Sequence, residues 1–116
     1  MIKLDFLKIE KKHKIYCSLL SNSNIYFNKQ SFDFLGCNQD DRIKISIVGS
    51  TIYLVNVGKD ETDNTVSFSF RNEKRYFILN SHKLIYSIFS PKKAVKYSIY
   101  LDIYENYNMY VLKLIK

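Results

Sequence analysis

One run constrains the fold more than any other, Ile25 to Val57, IYFNKQSFDFLGCNQDDRIKISIVGSTIYLVNV. Ile25–Asn28 reads as a short strand. Gln30–Leu35 reads as a helix of little more than a turn, with Phe32, Phe34 and Leu35 near one face, and Gly36 suits the left-handed conformation that stops a helix. Asn38-Gln39-Asp40-Asp41 turns the chain. Ile43, Ile45 and Ile47 then alternate with Lys44 and Ser46, the period of two of a strand with one wet face. Gly49-Ser50 is a two-residue hairpin loop with glycine first. The return strand sets Ile52, Leu54 and Asn56 on one face and Tyr53, Val55 and Val57 on the other.

The same order of events returns at an offset of 52 residues. Ile25 falls on Phe77, Asn28 on Asn80, Phe32 on Leu84 and Phe34 on Tyr86, and Ile43-Lys44-Ile45-Ser46-Ile47 falls on Val95-Lys96-Tyr97-Ser98-Ile99. The pattern extends backward, with the strand near Ile15 meeting the strand near Ser67. Each half reads as hairpin, short helix, hairpin. The halves run approximately over 11–58 and 64–116, joined by the polar linker 59–65. Two copies at so long a period point to a pseudo-two-fold domain and not to a solenoid. Neither half could bury both faces of its sheet alone, so the two are expected to share one core. The expected fold is mostly β with short helices, one compact, barrel-like domain over 1–116.

Composition agrees with that class. Ten Tyr and eight Phe, with Ala occurring once, favour strands over helices. The remaining segments read in the same way. Met1–Glu10 sets Ile2, Leu4 and Phe6 on one side of a strand before Leu7 and Ile9 slip to the other, and residues 11–14 form a polar turn. Ile15–Leu20 is a strand, followed by the turn Ser21–Asn24. Val66–Phe70 and Arg75–Leu79 are strands around the turn Arg71–Lys74. A short helix capped by Asn80 or Ser81 runs through Phe89. Val95–Tyr104 carries Val95, Tyr97, Ile99, Leu101 and Ile103 in phase, and Glu105–Asn108 turns it back into Met109–Ile115.

The strand, the short helix ending in Leu35-Gly36, the turn with Asp41 and the hairpin at Gly49-Ser50 together resemble the AbrB/SpoVT/MraZ-like swapped-hairpin family. The matching residues are Ile25-Tyr26-Phe27-Asn28-Lys29, Leu35-Gly36, Asp41-Arg42-Ile43 and Gly49-Ser50, with a degenerate second copy over 77–113. The resemblance implies a small β-rich DNA-binding protein, working as a dimer or as fused repeats, of the kind that regulates transcription or serves as an antitoxin. The chain has Asn28 where the family usually has Pro, Asp40 where it has Gly, and no Arg in the short helix.

Catalytic patterns are absent. Cys17 and Cys37 are too far apart for a redox CxxC motif and read as buried small hydrophobes. His13 and His82 have no second ligand three or four residues away, so no metal site is expected. Asp40-Asp41 reads as a solvated acidic turn. Three glycines cannot build a phosphate-cradling loop. No catalytic residue, metal or cofactor is therefore assigned, and no enzymatic activity is expected. The opening residues alternate charge with Ile, Leu and Phe, unlike a signal peptide, and no run approaches the roughly 20 apolar residues of a membrane span. The expected location is the cytoplasm.

The net charge of +7 is unevenly spread. The window from Arg71 to Lys96 holds Arg71, Lys74, Arg75, Lys83, Lys92, Lys93 and Lys96 against Glu73 alone, with His82 among them. Cations that neutralise phosphates release counterions, so such a patch would bind nucleic acid in a salt-dependent way. Tyr76, Tyr86 and Tyr97 are interleaved with it and are suited to stacking on unpaired bases. The functional expectation is a small basic nucleic-acid-binding protein, with DNA ahead of RNA. The competing expectation is an interaction module without a nucleic-acid ligand, such as a phage or mobile-element inhibitor or adaptor bound to a host or phage protein. No membrane partner is expected, and oligomeric state is left open.

Overall fold

The alternation in Ile43–Val48 and its return becomes part of a continuous wall. The computed structural model describes residues 2–7, 15–73 and 75–115. In chain order the elements are β1 (Tyr16–Leu19), β2 (Ile25–Asn28), α1 (Lys29–Leu35), β3 (Arg42–Val48) and β4 (Thr51–Gly58). They are followed by β5 (Phe68–Arg71), β6 (Tyr76–Leu79), α2 (His82–Ile85), β7 (Val95–Tyr104) and β8 (Tyr107–Leu114). The strands form one antiparallel sheet in the order β3-β4-β8-β7-β1-β2-β6-β5, curled into a half-barrel, and the protein is one compact, mostly β domain.

The curl brings the two ends of the sheet together at one point. Ile43 and Val66 exchange both backbone hydrogen bonds, at 2.8 and 2.9 Å. With this contact counted, the strands form a ring. Exchanging β1 with β5, β2 with β6, β3 with β7 and β4 with β8 leaves the order around that ring unchanged. The two equivalent joints differ in extent: β1 and β7 share a four-residue ladder, whereas the β3 joint is a single bridge.

Strand periodicity sorts the side chains. On the inner face, Ile45, Leu54 and Tyr110 lie side by side across β3, β4 and β8, and Ile47, Ile52, Leu112 and Ile99 form the next row. Tyr97, Cys17, Phe27, Phe77 and Phe70 make a third row, and Val95, Leu19, Ile25, Leu79 and Phe68 a fourth. Most of these residues are buried and form the core. Helix α1 closes the inner face: the Phe32 ring stacks on Phe77 with centroids 4.0 Å apart and meets Phe68 edge-on at 5.0 Å. Asn28 caps this helix by accepting from the Ser31 N–H at 2.7 Å. Gly36, at φ 66°, ends it in the left-handed conformation.

Several sequence expectations are corrected. Residues 2–7 form no strand, and Ile2, Leu4, Phe6 and Leu7 are exposed; their alternation meets no sheet edge. The remainder of that expected strand, the turn at 11–14 with His13, and Lys74 lie outside the described residues. Helix α2 stops at Ile85, short of Phe89. Neither expected capping side chain serves it. Ser81 is buried and its Oγ donates to the Ser23 carbonyl at 2.8 Å, while Asn80 Nδ2 donates to Ser69 Oγ at 2.7 Å. Asn24, from the β1–β2 turn, supplies the cap by accepting from the His82 N–H at 2.9 Å. The inward phase of β7 runs past its cover, so Leu101 and Ile103 are 52% and 69% exposed on a ribbon that outreaches β1 and β4.

Candidate nucleic-acid interface

Residues that alternate with the core rows make the outer face of the sheet. Across β6 and β5, Asn28 on β2 is followed by Tyr76 and Arg71. Tyr16 lies one register step beyond the Cys17–Phe27 pair, which brings it alongside Asn28, and on its other side are Ser98 and then Lys113. The next row reads Lys96, Ser18, Tyr26, Ile78 and Ser69. These two rows hold three cations, three tyrosines and no carboxylate.

The cations and rings are already engaged with one another. Lys96 Nζ lies 5.1 Å from the centroid of the Tyr16 ring, and Lys113 Nζ lies 5.2 Å from that of Tyr100 on the same face. Tyr26 and Tyr76 sit with ring centroids 5.5 Å apart, tilted by 36°. The Tyr16 N–H donates to Ser31 Oγ at 3.0 Å, tying this edge of the face to helix α1 behind it. Burial, and next the neighbouring hydroxyls of Tyr76 and Tyr16, push the Tyr26 phenol above its ordinary range. It therefore stays neutral at physiological pH and adds no negative charge beside the cations.

A second basic feature lies at one end of the same strands, where β6 leaves for α2. A cleft of about 390 Å³ is lined by Asn24, Arg42, Thr65, Val66, Ser67, Asn80, His82 and Lys83. Thr65 fixes the guanidinium: Arg42 Nε donates to Thr65 Oγ1 at 2.9 Å and Nη2 donates to its carbonyl at 3.0 Å. His82 Nδ1 lies 2.6 Å from the Asn22 carbonyl, an acceptor only, so Nδ1 carries a proton. No carboxylate lines this cleft.

The residues expected from sequence fall into three groups. Arg71, Tyr76 and Lys96 share the outer face, with Arg75 in the adjoining turn. His82, Lys83 and Tyr86 belong to α2 and its end, the rings of His82 and Tyr86 being 4.8 Å apart. Lys92 and Lys93 are exposed in the loop before β7. Tyr97 is corrected: it is 4% exposed and belongs to the core, as its phase with Val95 and Ile99 requires. Tyr16, Tyr26, Lys113 and Arg42 were missed because they lie outside the 71–96 window, although strand alternation around Cys17 and Phe27 carried the signal for the first two.

Asp41 is also corrected. Instead of being solvated, its Oδ2 accepts from the Asn38 N–H at 2.7 Å and from Asn56 Nδ2 at 2.8 Å, and Asn56 donates in turn to the Tyr110 hydroxyl at 3.0 Å. This network pins the turn after α1 to the sheet. A larger groove, about 760 Å³, lies elsewhere, beside Tyr53, Val55, Tyr104, Tyr107 and Met109. Lys44 in its lining is paired with Glu61 and Glu105 adds a further carboxylate, so that groove does not suit a polyanion. No helix among the described residues is long and apolar enough to cross a membrane. Compared with known protein families, curated proteins and solved structures, the chain matches none.

Proposed function

We propose that the protein is a non-enzymatic nucleic-acid-binding protein of the cytoplasm, acting through the outer face of β8, β7, β1, β2, β6 and β5. The observation that supports this reading is the pair of outer rows in which Lys96, Lys113 and Arg71 flank three tyrosines with no carboxylate between them. Phosphates would take the cations, and the neighbouring Arg42–Lys83 cleft offers a further pair. A role as a transcriptional regulator or antitoxin-like DNA binder, which the swapped-hairpin resemblance implies, is one use of such a face.

Fluorescence anisotropy of labelled oligonucleotides, titrated at several salt concentrations, tests it. Neutralising three to five phosphates gives a log–log slope of affinity against salt between about −2 and −4.5, the shallower values for single strands. Absence of binding at low salt refutes the proposal, and binding indifferent to salt refutes the phosphate mechanism.

A second reading, a protein-interaction module, is favoured by a different feature. Leu101 and Ile103 on the β7–β8 ribbon, with Ile2, Leu4, Phe6 and Leu7, leave apolar surface uncovered. That reading expects a stoichiometric protein partner that survives nuclease treatment and is lost on Leu101→Asp.

A further inference from the structure

We infer that the nucleic acid held by this face is single-stranded, its bases stacking on Tyr16, Tyr26 and Tyr76 while Arg71, Lys96 and Lys113 hold the backbone. This rests on the nucleic-acid reading above and specifies its ligand. Reading a duplex through its major groove takes a helix or a two-stranded ribbon that enters the groove. The outer face presents neither. Helix α1 packs its Phe32 against the inner face, on the side away from these tyrosines. The protruding β7–β8 ribbon carries Asp102 and Glu105 and no cation between Tyr100 and Asn108, so phosphates on either side of a groove would repel it.

What the face does present is a row of side-by-side strands bearing rings, and rings accept any base because every base has a π-face. Tyr76 is 38% exposed, Tyr16 and Tyr26 are half-buried, and the Tyr26–Tyr76 pair forms a continuous aromatic surface across β2 and β6. Cations lie at both ends of the platform, Lys96 and Lys113 on the β7–β8 side and Arg71 on β5. A strand crossing the face would meet positive charge, rings and positive charge in turn. The rings supply the contact, so the platform reads the unstacked state and not the sequence.

The test compares labelled oligo-dT, oligo-U and a mixed-sequence duplex of equal length by anisotropy. Intrinsic tyrosine fluorescence serves as a second readout, since the chain has ten Tyr and no Trp. Single strands are expected to bind tighter than duplex and to quench the tyrosines. Tyr26→Leu and Tyr76→Leu are each expected to weaken single-strand binding by roughly 5- to 150-fold with the salt slope unchanged. Tyr26→Phe keeps the ring and restores affinity, which separates loss of stacking from loss of folding. Arg71→Gln instead lowers the slope by about 0.7, one phosphate on a single strand. Tighter binding to oligo-dT assigns DNA and tighter binding to oligo-U assigns RNA; either supports the platform. Duplex bound as well as single strands, or leucine variants that bind normally, overturns the platform and leaves the nucleic-acid reading standing. No binding to any of the three overturns both.

Discussion

Replacing Phe32 by Ala should cost the protein about 3–5 kcal/mol. The ring is 7% exposed and comes from α1, which lies over the inner face. Removing it from water is worth about 2–3 kcal/mol. Its stacked contact with Phe77 at 4.0 Å and its edge contacts with Phe68 at 5.0 Å and Phe70 at 6.1 Å come on top of that. Aromatic pairs of this kind add about 0.5–1.5 kcal/mol each, and partial collapse of the site brings the total back toward the middle of the range. Urea unfolding followed by far-ultraviolet circular dichroism measures the change. With a slope of about 1.5 kcal/mol per molar urea the midpoint falls by about 2–3 M. Phe34, two residues on, is 40% exposed on the same helix, and Phe34→Ala should cost no more than about 1 kcal/mol. Equal effects of the two substitutions, or a loss below about 1.5 kcal/mol for Phe32→Ala, would show that α1 does not close the core as described.

Two further predictions concern the same half of the molecule. Asn28→Ala removes the acceptor for the Ser31 N–H and should lower stability by about 0.5–2 kcal/mol with an unchanged urea slope; an unshifted midpoint would mean the cap is not formed in solution. Burial first, then the Asp41 charge, pushes the Cys37 thiol up to about 11, with a partial offset from its hydrogen bond to Tyr110, and burial pushes Cys17 higher still. Thiol labelling near pH 8 should therefore be slow in the folded protein, Cys37 should speed up toward pH 11, and Cys17 should stay silent until urea unfolds the chain. Because the folded thiols hold their protons more tightly than the unfolded ones, they add no pH dependence below the ordinary value near 9 and lower stability as pH rises above it. A midpoint that rises between about pH 8 and about pH 10 contradicts the sign.

The fold class was legible because strands and turns announce themselves locally. Ile43–Ile47, the Gly49 turn at φ 61° and the stop at Gly36 all follow from residue type and spacing. Strand order was not legible. It depends on Tyr16 meeting Ser98 across β1 and β7, a pairing that no local pattern encodes. The same limit explains the errors. The alternation of Ile2, Leu4 and Phe6 has strand character but no edge to receive it, and Ser81 resembles a cap until the Ser23 carbonyl claims its hydroxyl. Of the basic window, Arg71 and Lys96 reach one face only through the intervening strands. A count along the chain finds the charge but not Tyr16, Tyr26 and Lys113, which stand between and beside them.

The ring of strands is joined at β3 by a single bridge, so the sheet keeps edges, and each edge is a template on which another chain could polymerise. Two of them are guarded. β5 is only four residues long and ends in Arg71, and β3 carries Lys44, which the 59–65 loop holds in place through Glu61. The third is different. Past Ser98, nothing among the described residues pairs with the β1-facing side of β7, and there Leu101 and Ile103 stand uncovered with Asp102 between them. Aggregation of this protein would begin on that ribbon, and the Asp102 carboxylate is the charge that opposes it.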